Sequence, residues 1–115
     1  MKDDVETLRT ILKNCKNIDC DLTKCDDFTD FLESDTIQRS CAFSMIQISE
    51  FVKRLTDEFV SEHDEISWSR IARYRDLLAH NYAVINPNAL WQTITEDIPE
   101  LEKSIEKMLI DQNDD

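Results

Sequence analysis

The 115-residue chain contains no glycine and only two prolines. Phosphate-cradling loops, dinucleotide-binding turns and nucleophile elbows all place glycine where the backbone needs a positive φ or must approach a ligand closely. Its absence therefore argues against P-loop ATPase, Rossmann and serine-hydrolase functions. Tight β-hairpins also depend on glycine, so the composition favours helices over strands.

Metal-binding and membrane signatures are missing as well. The four cysteines lack the paired spacing of a zinc ribbon, and neither histidine lies near them in the sequence. We therefore expect no metal and no other cofactor. The chain begins Met1-Lys2-Asp3-Asp4 without an apolar run behind it, and no segment approaches the roughly 20 apolar residues of a membrane-spanning helix. These features predict a cytoplasmic protein with reduced thiols, no signal peptide and no membrane span.

Positive charge is scarce, because 13 lysines and arginines stand against 25 aspartates and glutamates, for a formal net charge of −12. A general nucleic-acid coat is a poor fit, since phosphate binding needs clustered cations. Residues 66–94 are an exception: Arg70, Arg73 and Arg75 stand against Asp76 alone, a local net charge of +2. An anionic ligand should be drawn to this part of the chain. The acidic remainder could repel free RNA or attract a basic partner, and both interpretations remain open.

Apolar residues recur at steps of three and four along most of the chain, which predicts four amphipathic helices. The second stripe has no break and is expected to be one long helix. A short helix or an ordered loop is expected between the first two stripes, at Phe28, Phe31 and Leu32. The four stripes are Val5, Leu8, Leu12 and Cys15, ending near Asn17; Ile37, Cys41, Met45, Ile48, Val52, Leu55 and Phe59; Trp68, Ile71, Tyr74 and Leu78; and Leu90, Ile94, Ile98, Leu101, Ile105 and Met108.

Start and stop signals support this division. Ser67 is expected to cap the third helix, and Asn86-Pro87 should begin the fourth, with proline at a position where its missing N–H has no cost. Pro99 should kink or break the fourth helix near Asp97.

Four long amphipathic helices with short connections pack as an antiparallel bundle. We expect one helical-bundle domain over residues 1–111 and an acidic frayed tail over 112–115. The second helix carries three further apolar residues outside its main stripe: Phe43, Ile46 and Phe51. They can form a subunit interface or widen the core stripe, and the pattern is compatible with both.

Residues 73–82 contain Arg75, His80 and Tyr82 in the spacing R-x4-H-x-Y. Arginine offers a rigid fork of donors to phosphate oxygens, and histidine can give or take a proton near pH 7, so the set suits a phosphodiester. Around a straight helix Arg75 and His80 lie about 140° apart, so their convergence depends on the reach of arginine and on helix fraying.

The residues around this motif allow two further arrangements. Arg73, Asp76 and His80 share one helical stripe, so Asp76 could pair with Arg73 or hold one imidazole nitrogen of His80. The plainest alternative is a solvated histidine at the helix end, beside an Arg75 in an ordinary surface ion pair.

The pattern Arg75-x4-His80-x-Tyr82 in its helical setting resembles the signature of the HepT-like proteins, a branch of the HEPN superfamily of small four- to five-helix proteins. The similarity extends to the stretches 48–55 and 66–68 and to the last helix, and it covers most of the chain from about residue 35 to residue 109. The chain departs from the family pattern beside the arginine. Arg73-Tyr74 replaces the usual glycine and methionine, and Asp76 replaces the usual asparagine.

This resemblance implies a homodimeric, metal-independent ribonuclease that acts as the toxin of a toxin-antitoxin system. Arg75 would stabilise the charge on the scissile phosphate, and His80 would be the general acid or base while the ribose 2′-hydroxyl attacks, leaving a 2′,3′-cyclic phosphate. Asp76 and Arg73 would support the site. A minimal nucleotidyltransferase antitoxin would neutralise the toxin, in some pairs by transferring AMP to the tyrosine that corresponds to Tyr82.

Two other functions are compatible with the sequence. One is a noncatalytic HEPN-fold subunit that binds a nucleotide or a nucleotidyltransferase. The other is a structural dimerisation module without a ligand.

Overall fold

The structure, a computed structural model, describes residues 2–79 and 86–113. All regular secondary structure in this part of the chain is helical, which confirms the all-α class. A π-helical turn joins the last two α-helices. The elements are α1 (Lys2–Leu22), α2 (Phe28–Leu32), α3 (Asp35–Val52), α4 (Asp57–Glu62), α5 (Trp68–Ala72), α6 (Tyr74–Ala79), α7 (Pro87–Gln92), the π-helical turn (Thr93–Asp97) and α8 (Ile98–Asn113).

The central element is α3, which packs against α1, α2, α5, α6 and α7. α1 runs antiparallel to α3. Near the start of α1, Asp4 contacts Thr56 just beyond the end of α3, whereas near the end of α1, Asp21 accepts a 2.6 Å hydrogen bond from Ser40 Oγ close to the start of α3. α8 also packs on α1.

The predicted apolar stripes supply most of the core. The fourth stripe is entirely buried, and so is the second except for half-buried Ile37. The side chain of Leu78 lies outside the described part of the third stripe. Burial of each large apolar side chain contributes roughly 1.5–3 kcal/mol, so this cluster is the main source of stability. Its buried members are Leu8, Ile11, Cys15, Ile18, Phe31, Cys41, Ala42, Met45, Ile48, Val52, Leu55, Phe59, Trp68, Ile71, Tyr74, Leu90, Ile94, Ile98, Leu101, Ile105 and Met108.

The first helix is longer than its predicted end near Asn17, because it continues to Leu22. Its buried face also differs from the predicted stripe. Ile11 and Ile18 are fully buried, whereas Val5 and Leu12 are only half-buried. Contact with both α3 and α8 extends the apolar face by a further turn, which accounts for the added length.

The expectation of one long second helix is wrong. α3 ends at Val52 and α4 begins at Asp57, although the apolar spacing continues through both. Thr56 adopts an extended backbone and caps α4, where its hydroxyl oxygen accepts from the Phe59 N–H. The fully buried carboxylate of Asp4 accepts hydrogen bonds from the Thr56 N–H at 3.0 Å and from its hydroxyl at 2.7 Å. These hydrogen bonds satisfy the buried carboxylate, and they occupy the Thr56 N–H, which is then not available to continue α3.

The third predicted helix is also divided, at Arg73, into α5 and α6. The Arg73 N–H bonds the carbonyl oxygens of Arg70 and Ile71, a tightening common at helix ends. Ser67 occupies the predicted N-cap position, but its side chain makes no capping hydrogen bond.

The fourth predicted helix begins as expected. The Asn86 side chain accepts from the backbone N–H groups of Asn88 and Ala89, and Pro87 occupies the first turn. The disturbance expected near Asp97 is present as a π-helical turn rather than a break, since Ile98 remains helical. Pro99 has no N–H to donate and its ring crowds the preceding turn, so one wider turn accommodates it. Within the described ranges, no helix is long and apolar enough to cross a membrane.

Candidate active site

Arg75 lies on α6, and its side chain crosses to α3. The Arg75 Nε is 2.7 Å from Glu50 Oε1, and the two side chains are 51% and 41% exposed, respectively. A carboxylate bound at Nε occupies the side edge of the guanidinium plane. The end edge, formed by the two terminal nitrogens, also presents two parallel N–H donors and can bind a phosphate in a fork.

Asp97, in the π-helical turn, holds the residues that lie just before Arg75. Asp97 Oδ2 accepts a hydrogen bond from the Tyr74 hydroxyl at 2.9 Å. The same oxygen forms an ion pair with Arg70 Nη2 at 2.9 Å. Burial of the Tyr74 phenol, followed by its hydrogen bond to Asp97, raises its pKa above the usual value, so it stays protonated and donates. The segment 70–75 is therefore attached to α3 through one residue and to the π-helical turn through two others.

The remaining predicted site residues have different outcomes. Arg73 and Asp76 are both exposed, and they do not pair with each other among the ion pairs of the described residues. The predicted pairing of Asp76 with Arg73 is therefore not present. His80 and Tyr82 lie outside the described residues, so their roles, and a contact of Asp76 with His80, remain predictions.

Neither Glu50 nor Asp97 was predicted to belong to the site. Glu50 lies in the stretch 48–55 that carries part of the family resemblance, which was the only sequence signal for it. Asp97 was identified as the place where Pro99 disturbs the helix and as part of the last helix that resembles the family. Both meet the motif through contacts between helices that are far apart in the sequence.

Two further cations lie close to Glu50 along the chain. Lys53 and Arg54 follow it by three and four residues. Lys53, the C-cap of α3, still has helical dihedrals, so helical spacing places it on the same side of α3 as Glu50, whereas Arg54 lies one residue beyond this cap. Both side chains are exposed. The guanidinium carbon of Arg54 lies 4.2 Å from the centroid of the Phe51 ring, a cation–π contact that restrains it.

A pocket of about 130 Å³ opens beside Asp97, between α5 and α8. Its charged lining residues are Arg70 against Glu65, Asp97 and Glu100. With Arg70 already paired and three carboxylates around it, this pocket is unfavourable for a phosphate.

The buried cysteines are unsuited to nucleophilic catalysis. Burial, with smaller contributions from nearby carboxylates, raises the pKa of Cys15 and Cys41 to about 12, so both thiols are protonated near neutral pH. In the part of the chain that the structure describes, no group of three or more His, Cys, Asp or Glu side chains is arranged to hold a metal ion.

The fold and the candidate site define a class: small all-α proteins with a half-exposed arginine on a short helix of the bundle. The model of the ribonuclease HepT-like family matches residues 6–108, and the chain belongs to that family. The predicted family, its HEPN-type fold and its ribonuclease class are thereby confirmed.

Individual relatives agree with this assignment. A protein of Caldanaerobacter subterraneus subsp. tengcongensis named "Putative RNase" is 36% identical over 102 residues, covering 89% of this chain and 90% of the relative. Another of the same designation from Methanocaldococcus jannaschii is 34% identical, covering 90% and 85%. A "Probable ribonuclease HepT" of Thermococcus cleftensis is 37% identical, covering 70% and 74%. No solved structure matches the chain.

Proposed function

We propose that this protein is a metal-independent endoribonuclease in which Arg75 binds the scissile phosphate and His80 transfers a proton. The supporting observation is the half-exposed Arg75 guanidinium, which is held at Nε by Glu50 so that its terminal nitrogens can face a phosphate. Family membership supplies the RNA substrate.

The reaction begins when the ribose 2′-oxygen attacks the adjacent phosphorus. The O2′–P bond forms, the P–O5′ bond breaks, the 2′-hydroxyl loses its proton and the leaving 5′-oxygen gains one. The products are a 2′,3′-cyclic phosphate and a 5′-hydroxyl. His80 is the base or the acid in this exchange, and Arg75 stabilises the negative charge that builds on the nonbridging oxygens.

Because the chain is strongly acidic, RNA binding requires a local group of positively charged side chains. Three exposed cations are available: Arg75, which pairs with Glu50, and Lys53 and Arg54, which follow Glu50 by three and four residues. A flanking phosphate of the RNA can bind Lys53 or Arg54 while the scissile phosphate binds Arg75.

A cleavage assay with purified protein in EDTA tests the activity. We expect cleavage by the wild type, and a loss of roughly 100-fold or more in Arg75→Ala and His80→Ala, the scale of a lost charge-stabilising or proton-transfer group. Arg39→Ala is the matched control, because Arg39 is an exposed arginine of α3 that takes part in none of the ion pairs between described residues. Undiminished cleavage by His80→Ala would show that the histidine assignment is wrong.

We also propose that the active form is a homodimer. Phe43 on α3 is 61% exposed, and the neighbouring Ile46 and Phe51 are half-buried, so this side of α3 presents more apolar surface than the core uses. Two copies of the motif would double the local arginine content near a twofold axis. Light scattering should give twice the chain mass for the wild type and a shift toward monomer for Phe43→Ser. A wild-type monomer at micromolar concentration contradicts the dimer.

The biological role proposed with this activity is that of a toxin, paired with a minimal nucleotidyltransferase as antitoxin. The alternative, a noncatalytic HEPN-fold subunit that binds a nucleotide or the nucleotidyltransferase itself, is favoured by one observation. Arg75 already has a carboxylate partner, as in an ordinary surface ion pair. Phosphate-dependent binding without RNA cleavage would select this alternative.

A further inference from the structure

We propose that Glu50 is a positioning residue for the ribonuclease reaction: it sets the plane of the Arg75 guanidinium so that its terminal nitrogens meet the scissile phosphate. The inference rests on the proposed role of Arg75. It adds a residue that lies 25 positions earlier in the chain and on a different helix.

The first argument is the freedom that Arg75 would otherwise have. Its side chain is long, half-exposed and carried by α6, a helix of only six residues that follows the turn at Arg73. Such a side chain samples many rotamers in water, and holding one of them costs conformational entropy. α3 spans 18 residues and packs on five other helices, so Glu50 extends from the most firmly held element of the fold.

The second argument is the geometry of the contact. Because Glu50 Oε1 approaches Nε at 2.7 Å, the carboxylate binds the side edge of the guanidinium. A charge-assisted bond there orients the planar group and leaves the edge formed by the terminal nitrogens for a second anion. Glu50 and a phosphate can therefore bind Arg75 together rather than in competition.

Energetics separate this role from a structural one. The pair is half-exposed and solvent screens its charges, so it contributes little to the stability of the fold. Misplacing a catalytic group by about 1 Å, in contrast, can reduce turnover on the order of 100-fold. The negative charge of Glu50 also weakens the attraction of the site for phosphates. Removing Glu50 should therefore lower kcat, because Arg75 is misplaced, and should not raise KM, because a repulsive charge is lost.

The test compares Glu50→Gln and Glu50→Ala with the wild type in steady-state cleavage of one RNA. We expect kcat to fall on the order of 10- to 100-fold in Glu50→Ala, less in Glu50→Gln, which keeps an oxygen acceptor, and KM to stay equal or decrease. Glu58→Gln is the control for charge alone, because Glu58 is exposed on α4 and belongs to no ion pair between described residues. Unchanged or increased kcat in Glu50→Ala overturns the proposal.

A double-mutant comparison asks whether Glu50 acts through Arg75. In an Arg75→Lys background, which keeps the charge but has no Nε, Glu50→Ala should cause little further loss of kcat. Equal losses in both backgrounds would mean that Glu50 acts independently, and would also overturn the proposal.

A readout without catalysis completes the design. In a ¹H–¹⁵N spectrum of the arginine side chains, the Arg75 Nε–Hε signal, assigned by its absence in Arg75→Lys, should move in Glu50→Ala and stay in place in Glu58→Gln. An unmoved signal contradicts the contact itself. If the wild type does not cleave RNA, the proposed function has failed; if it cleaves and Glu50→Ala cleaves equally fast, only the role of Glu50 has failed.

Discussion

The Tyr74 hydroxyl donates a 2.9 Å hydrogen bond to Asp97 Oδ2, which joins the segment before Arg75 to the π-helical turn that precedes α8. π-helical turns occur frequently at functional sites. Here the turn ends at Asp97, whose carboxylate also meets Arg70. The π-helical turn next to Pro99 therefore holds the residues before Arg75 in place through Asp97.

Removal of the Asp97 carboxylate should destabilise the protein more than removal of the Tyr74 hydroxyl. Tyr74→Phe deletes both the donor and its need for a partner, at about 1 kcal/mol, whereas Asp97→Ala leaves a buried hydroxyl unpaired, at about 1–3 kcal/mol. Urea denaturation followed by circular dichroism measures both. Glu96→Ala, an exposed neighbour in the same turn, is the control and should stay within about 0.5 kcal/mol of wild type. The prediction is wrong if Asp97→Ala and Glu96→Ala behave alike.

Lys53 and Arg54 should contribute to RNA binding through charge alone. The measurement uses a His80→Ala background, in which we expect cleavage to be suppressed. Lys53→Ala and Arg54→Ala should each weaken binding regardless of RNA sequence and reduce the slope of log Kd against log salt by about 0.7. Fluorescence anisotropy at several salt concentrations gives the slope. Lys107→Ala, an exposed cation of α8, should leave it unchanged. An equal effect at all three positions would mean that the overall charge of the protein, rather than the position of Lys53 and Arg54, controls RNA binding, and would contradict the prediction.

The stability of the fold should depend on pH through Asp19. Burial, with further contributions from Glu102, raises the pKa of Asp19 to about 6 in the folded state. Because this value exceeds the unfolded value of about 3.9, the proton favours folding. The contribution is complete below about pH 4 and is lost as the pH rises through about 6. Asp19→Asn should therefore raise stability at pH 7, by less than about 1 kcal/mol because the site is partly solvated, and flatten the pH dependence.

Thermal denaturation between pH 4 and pH 8 measures this effect. Asp26→Asn removes an exposed carboxylate from the loop after α1 and serves as the control. A decrease in Tm for Asp19→Asn at pH 7 would contradict the sign of the prediction.

Tyr82 should carry one or more AMP groups when the protein is expressed with its cognate nucleotidyltransferase, and this form should not cleave RNA. Each AMP brings a phosphate near Arg75 and His80, where it competes with RNA for the same charge-assisted hydrogen bonds. Intact-mass spectrometry detects the addition, and Tyr82→Phe should escape it. An unmodified mass combined with full inhibition would mean that the partner acts by steric masking.

At the candidate site, motif spacing predicted the family but not the contacts between helices. R-x4-H-x-Y, together with the neighbouring stretches, was sufficient to predict the family, because the types of residue and their spacing are local properties of the chain. The motif also predicts Arg75 as a site residue, and that role remains a proposal. The partner of that arginine was not predictable. Glu50 contacts it only because α3 and α6 pack together, and no periodicity in the sequence records which residues of two packed helices face each other.

The same division applies to the fold. The sequence determined where apolar faces lie, since a period of about 3.6 residues is imposed by helix geometry, and the residues of the fourth stripe are buried accordingly. The tertiary structure decided where helices end. The apolar spacing between Val52 and Phe59 continues without a gap, yet the helix opens there because Asp4, 52 residues before Thr56, binds its N–H and hydroxyl. A buried carboxylate needs such partners, and only the folded chain brings them within reach.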